Sequence, residues 1–156
     1  MIAGLISYHD WVAIQIVDDT LEDIRLGLEM NDPKYNQRRL AVAKFLGELY
    51  NYRLIDSAVV FKVLYSLLTF GIDPNETQNQ LDAPEDMMRL RLICTILDTC
   101  GAYFVSGSSK SKLKYFVAYF QQYYWKKKNH PFWIGEQAMP FPFEVENNIE
   151  ETLSEF

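Results

Sequence analysis

Residues 90–104 read Leu90-Arg91-Leu92-Ile93-Cys94-Thr95-Ile96-Leu97-Asp98-Thr99-Cys100-Gly101-Ala102-Tyr103-Phe104. Leu90, Ile93, Cys94, Leu97, Gly101 and Phe104 recur at the spacing that gathers side chains on one face of a helix. A half-buried strand would need apolar and polar residues in alternation, and strict alternation is hard to find anywhere in the chain. Asp82 and Glu85 flank Pro84 at capping-box spacing, so this helix is expected to open at Pro84 and run to about Val105.

On the C-terminal side, Gly107-Ser108-Ser109 turns the chain into a helix from Lys110 to about Lys127, with Leu113, Phe116, Val117, Phe120 and Tyr124 on its apolar face. On the N-terminal side, segment 71–83 is polar, contains Asp73-Pro74-Asn75 and reads as one long internal loop. Before it, helices are expected over 10–29, from the cap and first-turn proline of Asn31-Asp32-Pro33 to about Tyr52, and from Asp56 or Ser57 to Phe70, where Gly71 stops the last of them. Met1–Tyr8 reads as the end of one more helix. Residues 129–143 form an aromatic connector with Pro131, Pro140 and Pro142, leading into an acidic helix from Val145.

Helices joined by short turns predict an all-α fold of antiparallel hairpins stacked in a row, with residues 1–156 as one helical domain. Neither end carries a helix boundary, so six or seven helices forming the later part of a longer domain are expected. Gly27, Gly47 and Gly101 lie inside helices at a cost of about 1 kcal/mol each relative to alanine, and close helix crossings are the expected reason.

The 156 residues, 49% hydrophobic and 23% charged, suffice for a buried core. A net charge of −6 disfavours a dedicated nucleic-acid binder, which needs basic surface against phosphate. Cys94 and Cys100 are too few for a disulfide scaffold and read as small core residues in a reducing compartment. No apolar run approaches the ~20 residues that span a bilayer, and the start lacks the basic region of a signal peptide. A soluble intracellular chain with no membrane partner is expected. His9 and His130 are the only histidines, and neither has ligand-type neighbours at metal spacing. Ser106-Gly107-Ser108-Ser109 lacks the strand before it that a nucleophile elbow requires, and reads as a helix cap. No glycine-rich phosphate loop occurs. No catalytic residue, metal site or cofactor is expected.

The charge is unevenly placed. Residues 10–32 hold seven acids and one base. At about 100° per residue, Val17, Leu21, Ile24 and Leu28 form a core-facing stripe, and Asp18, Glu22 and Glu29 fall within about 40° of one another beside it. Arg25 borders these acids and Leu26 lies on their far side. Like charges on one helix face repel by a few tenths of a kcal/mol per pair. A basic protein surface would relieve that repulsion, which makes Asp18, Glu22, Arg25 and Glu29 a candidate partner site; a merely solvated face is the alternative.

The opposite charge gathers at Lys110, Lys112 and Lys114 and at Lys126-Lys127-Lys128, with no acid between and Tyr123-Tyr124-Trp125 adjoining. Lysines beside aromatic rings suit phosphate contact and base stacking, so these six are candidate RNA contacts. Lysines that merely complement the helix dipole are the alternative. Asp98, beside Leu97, needs a partner if buried, and Arg91, Arg38 or Arg39 is expected to supply it.

Gln37-Arg38-Arg39-Leu40 leading into Lys44-Phe45-Leu46-Gly47-Glu48-Leu49-Tyr50-Asn51-Tyr52 resembles a helix typical of the middle domain of eukaryotic initiation factor 4G. The stretch Arg91 to Gly101 with Tyr103-Phe104, Gly107-Ser108-Ser109-Lys110 with Lys112-Leu113, and Tyr119-Phe120-Gln121 with Tyr123 narrow the resemblance. Together with Val17-Asp18, Leu21 to Gly27 and Glu29, they are similar to the third such domain of the scaffold proteins of nonsense-mediated mRNA decay. The likeness runs from about Ala3 to Ser154.

It implies a HEAT-like helical stack without catalytic activity, of which the six or seven helices here would be a partial copy. It also implies docking to the basic RNA-recognition-motif-like domain of regulator of nonsense transcripts 3, through acidic positions that match Asp18, Glu22 and Glu29. Weak RNA binding, a link to the decay kinase and a cytoplasmic or perinuclear location follow from the resemblance without being placed on residues. A translation-factor-like domain that binds a helicase fits the broader family but not these narrower motifs.

Overall fold

Local chemistry sets where the helices begin. Asp56 accepts a hydrogen bond from the Val59 N–H (3.1 Å), and Ser106 accepts one from the Ser109 N–H (3.3 Å), each satisfying an amide that the first helical turn leaves without a carbonyl. In the computed structural model, residues 10–76 and 79–156 are described; the helix expected at Met1–Tyr8, and His9, lie outside them. Six α-helices occur among the described residues: α1 (Asp10–Met30), α2 (Asn36–Asn51), α3 (Ser57–Thr69), α4 (Met88–Cys100), α5 (Gly107–Lys128) and α6 (Phe143–Ser154). A single isolated bridge, Asn79 to Asp82, is the nearest approach to sheet among those residues.

Several boundaries differ from the sequence reading, α5 opening at Gly107 rather than Lys110 and α6 at Phe143 rather than Val145. Asp32 caps a 3-10 turn, Pro33–Tyr35, by accepting from the Lys34 N–H, and α2 proper starts only at Asn36. α4 opens at Met88 rather than Pro84, because Asp82 does not cap it. That carboxylate is taken by Lys127 and Tyr123 of α5, and Asp86 Oδ1 instead accepts from the Met88 N–H at 2.9 Å. α4 then tightens into a 3-10 turn, Gly101–Tyr103, before Val105.

The helices form two layers. α2, α4 and α6 lie side by side and run parallel. Asn51 near the end of α2 donates to the carbonyl of Thr99 near the end of α4, and Leu40 near the start of α2 shares a groove with Arg91 and Thr95 near the start of α4. Thr152 near the end of α6 donates to Asp98, and Glu144 and Val145 at its start border that same groove. α3 and α5 lie in the second layer and are also parallel, with Phe61 near the start of α3 against Phe104 just before α5 at 4.9 Å, and Tyr65, a turn later, edge-on to Phe116 at 5.2 Å. Successive helices reverse direction, as Arg89 at the start of α4 shows by donating to the carbonyls of Leu67 and Phe70 at the end of α3. This is the HEAT-like arrangement of antiparallel hairpins.

The foreseen stripe on α4 is core: Leu90, Ile93, Cys94, Leu97, Gly101 and Phe104 are all buried, joined by Leu46, Leu49, Val60, Leu64, Phe116 and Phe120. The glycines mark close approaches. A Cβ on Gly47 would stand 2.7 Å from Cγ2 of Thr99, which lets α2 and α4 cross tightly, and the ring of Phe156 lies on Gly101. Asp98 is not buried, and its partner is Thr152 at 2.9 Å rather than an arginine. Its exposure leaves a neutral hydroxyl sufficient.

Candidate functional site: the acidic face of the first helix

α1 is amphipathic, with Leu28 buried and Val17, Leu21 and Ile24 half-buried against the core. Asp18, Glu22, Arg25 and Glu29 are all exposed. Arg25 reaches Glu22 at 3.5 Å and Glu29 at 3.7 Å, one and two contacts along the helix from a single guanidinium. Exposed pairs of this kind contribute about 0–1 kcal/mol each, so they align the carboxylates without tying them up. Three carboxylates against one guanidinium leave the face with an excess of two negative charges. Asp23, on the flank, is engaged by Arg38 of α2 at 3.2 Å and helps hold α1 in place.

Two further residues share this face and were not singled out from the sequence. Trp11 is 70% and Ile14 64% exposed. At about 100° per residue, Trp11 projects within about 20° of Asp18, Glu22 and Glu29, and Ile14 within about 20° of Arg25. The same projection, carried two turns further toward the N-terminus, would have found them. A large apolar pair at one end of a charged strip is how docking faces are commonly built, with an aromatic anchor and flanking charges.

The lysine cluster divides. Lys110, Lys112, Lys114 and Lys126 are exposed. Lys127 is a correction to the sequence reading: it is 7% exposed and its Nζ lies 2.6 Å from Asp82 Oδ1 and 3.1 Å from the Ala83 carbonyl, so it holds the 71–83 loop and meets no ligand. Tyr123 donates to the other oxygen of Asp82 at 2.7 Å, and burial, then the neighbouring Asp82 charge, push its hydroxyl pKa well up. Lys128 is half-buried and ion-paired with Glu146 of α6; that hydrogen bond raises its pKa. Tyr124 and Trp133 pack about Phe141, while Phe132 and Phe143 of the connector and Trp125 of α5 are exposed.

Among the described residues, no group of three or more His, Cys, Asp and Glu side chains could hold a metal ion. Cys94 and Cys100 are free and buried, and burial pushes both thiols up to about 12, which keeps them as unreactive thiols. No helix among the described residues is long and apolar enough to cross a membrane.

Paired helical layers whose exposed chemistry is charge laid along helix faces define a helical-repeat domain. The chain matches the MIF4G domain family over residues 1–153 and belongs to it. It is 54% identical over 153 residues to Regulator of nonsense transcripts 2 of Mus musculus and of Homo sapiens, a match covering 98% of this chain and 12% of each relative. It is 47% identical over 129 residues to Regulator of nonsense transcripts UPF2 of Arabidopsis thaliana, covering 83% of this chain and 11% of that protein. The chain thus spans a small part of the length of the curated relatives it matches.

Proposed function

We propose that this chain is a non-catalytic docking domain of the nonsense-mediated mRNA decay machinery, corresponding to the third middle-type domain of a decay scaffold. Its α1 face of Asp18, Glu22, Arg25 and Glu29 binds the basic RNA-recognition-motif-like domain of regulator of nonsense transcripts 3. The observation that carries the reading is the exposed, aligned carboxylate strip on α1 in a chain similar to Regulator of nonsense transcripts 2. Basic groups on a partner would take over the carboxylates from Arg25 and form charge-assisted hydrogen bonds, while Trp11 and Ile14 supply apolar area at the end of the strip.

The test is a calorimetric titration of that partner domain into the chain and into a variant with Asp18, Glu22 and Glu29 all changed to lysine. Binding lost with helical circular dichroism retained is expected; unchanged affinity overturns the assignment. Affinity also falls as salt rises, because exposed charges are screened over about 8–10 Å.

A second reading is RNA contact through Lys112 and Lys126, which share one side of α5. It is favoured by the exposed rings of Tyr115 and Tyr119, which project within about 60° of Lys112 and 20° of Lys126 on α5. Changing those two lysines to glutamate abolishes oligonucleotide retention on a filter if the reading holds.

A further inference from the structure

At the end of the stack away from α1, a groove of ≈780 Å³ runs between the 3-10 turn after α4, one side of α5 and the end of α6. Its floor is apolar, made by Phe104, Leu113 and Val117, and Phe156 lies along it over Gly101. Lys110 and Lys114 stand on its α5 wall, exposed and without an ion-pair partner among the described residues. Glu155 is the one carboxylate among its lining residues. Val105, at the open edge, is 80% exposed.

From these features we infer that the groove is a second docking site, distinct from the α1 face, which takes an acidic amphipathic helical segment of a protein partner. Charge complementarity and shape both decide the occupant. Two unpaired lysines one helical turn apart match carboxylates at i and i+4 on a bound helix, and the apolar floor between them and Phe156 accepts large side chains at i, i+3 and i+7. A nucleic acid fits less well: of the exposed rings of α5, Tyr119 lies about 140° or more from Lys110 and Lys114 around the helix, and Trp125, though on their side, stands about 16 Å along it from Lys114 and does not line the groove. A peptide gains both from burying the floor and from pairing the lysines, and neither gain depends on the α1 surface.

The experiment uses the whole chain and a fluorescein-labelled peptide of about 12 residues, roughly three helical turns. Leucine and phenylalanine occupy its i, i+3 and i+7 positions and glutamate the remainder. Saturable anisotropy binding is expected, together with at least a tenfold loss for the Lys110→Glu, Lys114→Glu double variant. The same loss is expected for Ala118→Arg, which fills the groove from an exposed position. The Asp18→Lys, Glu22→Lys, Glu29→Lys variant binds the peptide with undiminished affinity, which separates this site from the α1 proposal.

Equal binding of a scrambled peptide of the same composition overturns the inference. So does retention of affinity in both groove variants. Displacement of the peptide by oligouridine that itself needs Lys110 and Lys114 would assign the groove to RNA instead. Dimerisation in sedimentation that Ala118→Arg abolishes would assign it to a second copy of the chain.

Discussion

Lys127 Nζ of α5 lies 2.6 Å from Asp82 Oδ1 in the long loop, and both side chains are less than one-tenth exposed. Around this pair, Tyr123 donates to the second Asp82 oxygen and Arg89 gathers the carbonyls of Leu67, Phe70 and Leu81. Asn31 donates to Asp86 and to the carbonyl of Leu81, and Arg39 donates to Asn31. One polar network therefore ties the loop to both helical layers, and its buried charges are satisfied mainly by carbonyls and carboxylates from several elements.

Lys127→Ala leaves the buried Asp82 carboxylate with only Arg89 Nε, at 4.0 Å, for a cation, which costs on the order of 3 kcal/mol. Lys126→Ala, one residue away and exposed, changes stability by no more than about 0.5 kcal/mol. Urea denaturation of the two variants checks the contrast, and equal midpoints would refute the structural role given to Lys127.

That contrast was legible in the sequence and was hidden by reading the three lysines as a run. Projected at about 100° per residue, Lys127 falls within about 20° of both Phe116 and Phe120, in the middle of the apolar stripe, whereas Lys126 points well away. The helices and their core faces were readable for the same reason: periodicity is local and records burial directly. The start of α4 was not, because whether Asp82 caps a helix or pairs with a lysine 45 positions later depends on a contact the local pattern does not contain. The carboxylate strip on α1 was visible as a set of exposed positions, and what docks there is a property of a second molecule.

Gly47→Ala gains up to about 1 kcal/mol in helix propensity but forces a methyl to within 2.7 Å of Thr99 at the α2–α4 crossing. Overpacking of this kind costs about 1–3 kcal/mol, so a net loss is expected. The double variant with Thr99→Ala recovers only part of it in thermal denaturation, because it removes the Cγ2 and leaves the Cβ, 2.8 Å from the new methyl.

Alkaline pH should destabilise the fold. Burial raises Cys94 and Cys100 from an ordinary 9.0 to about 12 and holds Tyr123 well above 10.0. A group whose folded pKa is raised contributes stability that is complete below its unfolded pKa and is lost as pH rises toward the folded value. Stability is therefore level up to about pH 9 and falls progressively between there and about 12. Replacing both cysteines with alanine removes the part of that slope that starts near 9.0; denaturation midpoints measured from pH 7 to 11 show whether it does.

Trp11→Ala and Ile14→Ala leave the fold intact, since both side chains are mostly exposed, and weaken the proposed partner's binding. Truncating an aromatic anchor costs about 2 kcal/mol or more, which is roughly a thirtyfold rise in Kd. Surface plasmon resonance with the partner domain checks it. Loss concentrated in the off-rate is expected for an apolar anchor, and an on-rate effect for the flanking carboxylates.

Among the described residues, α1 rests chiefly on α2. The helix that carries the docking strip thus shares its hold with one chief neighbour among those residues. Anything that clamps its outer side adds its binding free energy to the hold of the rest, by an amount that grows with the logarithm of ligand concentration over Kd. Occupancy of α1 would then be recorded as slower amide exchange in α1 and α2, with α4 unchanged. The domain would report engagement of its partner through its own rigidity.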